Sequence, residues 1–82
     1  MSPPLFEILG SPRNVEVIAS GRGVRVRKFL QSEFGGREWR KMKGIALIRD
    51  IYGEVYEAEI HWFEAHGVGR RLERIKRPHA EQ

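Results

Sequence analysis

The chain has 82 residues, enough for one hydrophobic core and too few for a second independently folded unit. It contains no cysteine, which excludes disulfides and thiolate metal sites, and its 40% apolar content excludes a wholly disordered chain. Fifteen Lys and Arg against eleven Asp and Glu leave a net charge of +4 and a pI near 10.0, a balance that favours polyanionic partners through counterion release.

Residues 1–14 carry Pro3, Pro4, Gly10 and Pro12 and are expected to form an extended, irregular arm. Its opening run does not read as a signal peptide, and no later stretch approaches the roughly 20 apolar residues of a membrane span. With no cysteine to protect, a cytoplasmic setting is expected, without a membrane partner. Val15 to Ala19 is rich in β-branched residues and reads as a strand, which Ser20-Gly21-Arg22-Gly23 then breaks. From Val24 to Phe34 the apolar Val26, Phe29, Leu30 and Phe34 recur at spacings of three and four, the pattern of an amphipathic helix. Gly35-Gly36 supplies its stop. Arg22, Arg25, Arg27 and Lys28 crowd the start of this helix, where the dipole disfavours cations.

Met42 to Arg49 reads as a second strand, Asp50 to Gly53 as a turn, and Glu54 to Phe63 as a third strand. Ala65 to Gly69 makes the next turn, Arg70 to Arg77 the last strand, and residues 78–82 a tail. The single domain, residues 15–77, is thus expected to be α+β: an antiparallel sheet of about four strands in the order β-α-β-β-β, with one helix packed on it. A loop of Asp50 to Gly53 would set Arg49 opposite Glu54. Ile45 and Leu47 would then share a buried face, under the helix, with Tyr56, Ala58, Ile60 and Trp62. Glu57, Glu59, His61 and Phe63 would lie on the other face.

The densest collection of reactive groups is His61, Glu64 and His66, followed by Arg70 and Arg71. A metal-independent ribonuclease needs a base for the 2′-hydroxyl, an acid for the leaving oxygen and cations for the charged intermediate. His61, Glu59, Glu64 and His66 are the candidates for proton transfer, and Arg70 and Arg77 for phosphate charge. Trp39-Arg40-Lys41-Met42-Lys43-Gly44 combines an aromatic with cations, which can stack a base and hold its phosphates; Arg71 and Lys76 extend the basic set. Plainer roles compete with these. Trp39 can close the core beneath the helix, and a Lys- and Arg-bearing last strand protects a sheet edge from aggregation. The spacing His-Trp-Phe-Glu-Ala-His fits neither helical zinc motif, and Gly67 and Gly69 lack the lysine and hydroxyl residue of a phosphate loop, so no metal or cofactor is expected.

The blocks Trp39-Arg-Lys-Met-Lys-Gly44, Ala58-Glu-Ile-His-Trp-Phe-Glu-Ala-His-Gly-Val-Gly69 and Ile75-Lys-Arg77 resemble those of small bacterial proteins with this helix-plus-meander pattern. In the order of its elements the chain is also similar to the barnase/RelE-like ribonuclease toxins, although it has one helix where their usual layout has two. That resemblance implies a toxin-like RNA-binding domain able to act as a metal-independent endoribonuclease, with RNA or single-stranded nucleic acid as its partner. The alternatives are a non-catalytic nucleic-acid-binding module and a protein-interaction subunit, paired with an antitoxin or with a second copy of itself.

Overall fold

The computed structural model describes residues 6–78. Strand β1 (Phe6–Ser20) leads through a 3₁₀ turn (Gly21–Gly23) to helix α1 (Arg27–Phe34). Strands β2 (Arg40–Asp50), β3 (Val55–Ala65) and β4 (Gly69–Pro78) follow. The four strands form one antiparallel sheet in chain order, so the α+β class stands. No described helix is long and apolar enough to cross a membrane.

Most of the expected N-terminal arm is strand. Residues 6–14 belong to β1, while residues 1–5 of the arm and 79–82 of the tail lie outside the described residues. Gly10 and Pro12, which argued against a strand, are accommodated because β1 is an edge. Gly10 takes a positive φ of 85°, and Pro12 falls where the pairing shifts between Leu9 and Arg13, so no ladder hydrogen bond requires its missing N–H. The order of elements also differs from expectation by the 3₁₀ turn, and the helix starts at Arg27 rather than Val24. Gly21, at φ 53°, lets the chain close a tight turn in which the Val24 N–H donates to the Gly21 carbonyl. Val24 is still buried, but as a connector.

The β2–β3 hairpin corrects the expected register by one residue. Asp50 N–H donates to Glu54 O, Gly53 N–H donates to Asp50 O, and the Asp50 carboxylate accepts from the N–H groups of Tyr52 and Glu54. Asp50 and Glu54 therefore close the loop as a pair, with Gly53 at φ 85° in the left-handed position of a turn with a bulge. Arg49 consequently faces Val55. The β2 residues that share a face with Tyr56, Ala58, Ile60 and Trp62 are Met42, Gly44, Ala46 and Ile48, whereas Ile45 and Leu47 go to the other side.

That first face is sealed. Met42, Ala46, Ile48, Ala58, Ile60 and Trp62 are buried together, flanked by Phe6, Ile8, Tyr56 and Ile75. Each fully buried large side chain contributes about 1.5–3 kcal/mol. Position 44 is tightly enclosed: a Cβ there would stand 3.2 Å from the Arg13 carbonyl and 3.2 Å from the Trp62 ring. The irregular middle of β1 comes against the core at this point.

Helix α1 packs on the opposite face, again contrary to expectation. Leu30 is buried with Val24, Trp39 and Ala65, surrounded by Ala19, Phe34, Phe63, Val68 and Leu72. Phe63 and Ala65 alternate with Trp62 along β3, so this end of the strand is apolar on both sides. Trp39 anchors the cluster. It is 1% exposed, donates its indole N–H to the Gly35 carbonyl at 3.0 Å, and lies against Phe34 in a tilted arrangement.

Candidate functional site

The register places three cross-strand rows on the helix-bearing face: Lys41, Phe63 and Arg71; Lys43, His61 and Arg74; and Ile45, Glu59 and Arg77. Two irregularities in β4 adjust these rows. One lies between the pairs Glu59/Arg77 and Ile60/Ile75, leaving Lys76 unpaired, and the other between His61/Arg74 and Phe63/Arg71. Leu72 sits in the second with φ 56°, a conformation rare for leucine, and packs with the cluster under the helix.

α1 covers only part of this face. Beside it runs a groove of about 640 Å³, lined by the apolar Ile18, Val26, Phe29 and Leu72 and by the basic Arg25, Lys41, Arg74 and His61. No carboxylate lines it. The His61 side chain is only 11% exposed, and its Nε2 lies 2.7 Å from Glu59 Oε2. The other oxygen of Glu59 forms an ion pair with Arg77 at 3.2 Å. The hydrogen bond from His61 pulls the Glu59 carboxyl below its ordinary range; the charges of Arg77, His61 and Lys43 add to this, and partial burial opposes it. With Nε2–H donating to the carboxylate, a neutral imidazole carries its acceptor lone pair on Nδ1. That Nδ1 is closed off from solvent and has no hydrogen-bond partner.

Of the residues expected to share proton-transfer chemistry, the structure joins His61 with Glu59 and Arg77 and separates the rest. Glu64 lies three residues from His61 along a strand and therefore on the opposite side, where it accepts from the Trp62 indole and from Arg40, both at 2.9 Å. His66 is exposed in the β3–β4 turn, in a separate depression with Arg37 and Arg40. Arg70 is paired with Glu73 at 3.0 Å.

The expected nucleic-acid contacts divide as well. Trp39 is buried in the core and offers no ring to a base. Arg40 is held by Glu64, and Lys43 stands 4.0 Å from Glu16. Lys41 lines the groove, Arg71 lies over the Phe34 ring at 5.3 Å, and Lys76 is exposed on β4. Leu72 and Arg74 were not singled out from sequence, while Arg25 stood out only as a cation against the helix dipole and Phe29 only as an apolar position of the helix. Strict alternation could have found Arg74 opposite His61, but the two irregularities of β4 hide it.

The cations of the described residues thus form two populations. Arg13, Arg40, Lys43, Arg49, Arg70 and Arg77 are tied to carboxylates. Arg22 on the 3₁₀ turn, Arg25 in the turn before the helix, Arg27 and Lys28 on the helix, Lys41 and Arg74 across the groove, and Arg37, Arg71 and Lys76 away from it make no ion pair among the described residues. Comparison with protein-family models, with curated proteins and with solved structures found no match in any of the three.

Proposed function

We propose that the protein is a binding domain for RNA or single-stranded nucleic acid, which it engages along the helix–sheet groove. The observation that carries this reading is that Arg25 from the turn before α1, Lys41 from β2 and Arg74 from β4, none of them in an ion pair among the described residues, line one groove. Cations already paired gain little from a phosphate. Unpaired ones release counterions from the nucleic acid and add affinity with each contact.

The geometry favours binding over cleavage. In-line transfer needs a base and an acid within hydrogen-bond reach of the reacting oxygens. His61 has one ring nitrogen committed to Glu59 and the other closed off from solvent, and Glu64 and His66 stand elsewhere. The test is the affinity for a fluorescent mixed-sequence RNA, measured by anisotropy as salt rises from about 50 to 200 mM. Affinity should fall steeply over that range; no binding at low salt, or binding indifferent to salt, overturns the reading. The same RNA incubated with the protein in EDTA should remain whole. Products with 2′,3′-cyclic phosphate ends, lost in His61→Ala, would establish an endoribonuclease instead.

A further inference from the structure

The groove holds more than positive charge. Val26 and Phe29, one helical turn apart, are 40% and 49% exposed, and both line it, as does the half-exposed Ile18. The neighbouring Leu30 is fully buried, so the helix divides its apolar residues between the core and this opening. Leu72 is brought to the same wall by its positive-φ position in the β4 irregularity. The volume, about 640 Å³, falls within the range of small-ligand pockets, roughly 300–1,000 Å³.

We propose that this groove is a pocket for one unstacked nucleobase, with the neighbouring phosphates of the strand contacted by Arg25, Lys41 and Arg74; this rests on the nucleic-acid reading above. An aromatic base presents a flat face to Phe29 and Val26, against a wall that Ile18, Leu72 and the His61 ring complete. The charge around the opening is complementary: basic side chains and no carboxylate line the groove. A nonpolar protein side chain would fill the apolar wall but leave those cations without a counterpart. A duplex keeps its bases stacked and cannot offer one without opening.

The experiment compares three ligands of equal length on the wild type and on Phe29→Ala: a single-stranded oligonucleotide, the same backbone without bases, and a duplex. Phe29 is half exposed, so its truncation spares the core. The single strand should bind about tenfold more tightly than the abasic backbone, an advantage that vanishes in Phe29→Ala. Abasic and normal strands binding equally would overturn the base pocket while leaving phosphate binding intact. A duplex binding as tightly as the single strand would overturn it too. No binding to any of the three would overturn the nucleic-acid reading itself. As a second measurement on the wild type, adenosine 5′-monophosphate should shift the His61 ring-proton resonances and leave those of the Trp62 indole in place. Shifts confined to residues outside the groove would reject the pocket.

Discussion

The two faces of the sheet use the same strand for opposite purposes. Along β3, Ala58, Ile60 and Trp62 point to a side where the bent edge strand β1 completes the enclosure, and no polar residue among those described is buried there. Glu59, His61 and Phe63 point to a side that a helix of eight residues covers only in part. The sealed face holds the fold together. The half-covered face keeps apolar side chains and cations exposed at a groove, an arrangement that contributes little to stability and is available for a ligand.

The largest contrast should appear when each face loses an aromatic. Trp62→Ala opens a cavity in the sealed core and should cost about 3–5 kcal/mol, enough to leave so small a domain barely folded. Phe29→Ala on the groove should cost about 1 kcal/mol or less. Urea unfolding followed by far-UV circular dichroism measures both, and equal losses would abolish the distinction between the faces.

Charge sharpens the comparison next. Replacing Arg25, Lys41 and Arg74 together by Ala should leave the unfolding midpoint nearly unchanged. It should flatten the salt dependence of RNA binding by about two units in slope, at roughly 0.7 per lost phosphate contact on a single strand. The matching triple replacement of Arg40, Arg49 and Arg70, whose charges are held by Glu64, Glu7 and Glu73, should flatten it by less. A larger effect from the paired set would mean that the ligand runs elsewhere.

The hairpin that assigns residues to the two faces comes third. Gly53 has φ 85° and open space around it, so Gly53→Ala meets no clash and isolates the backbone term, about 1 kcal/mol of lost stability. Its measurement by the same urea titration tests whether the Asp50–Glu54 closure fixes the register. That closure also shows where sequence reasoning stopped. The meander, the helix around Leu30 and the core alternation of Tyr56, Ala58, Ile60 and Trp62 were legible from periodicity. Whether Glu54 closes the loop or continues past it is a one-residue choice decided by hydrogen bonds to Asp50, and it moved Ile45 and Leu47 to the other face. The site was legible only at His61, Glu59, Arg77 and Lys41. Its remaining members depend on irregularities in β1 and β4, and on the helix choosing the side of Phe63 over that of Trp62, a choice that period-two alternation cannot make.

The smallest effect should come from Glu59, which sits on the polar part of the groove face between His61 and Arg77. Its carboxyl is held below the ordinary value of 4.5 in the folded protein, first by the hydrogen bond from His61 and then by nearby positive charge. The folded state thus takes up this proton at lower pH than the unfolded chain does. The stabilisation is fully present above the unfolded value and is lost as pH falls through the folded one. Glu59→Gln keeps an acceptor for His61 but removes the titration. The wild type should therefore exceed the variant in stability at neutral pH by a constant margin, and the margin should shrink as the solution is acidified below about 4.5. Arg77 is largely exposed, so solvent screening keeps the margin small. A margin that persists unchanged into acid would remove Glu59 as its source and leave packing around His61 to account for it.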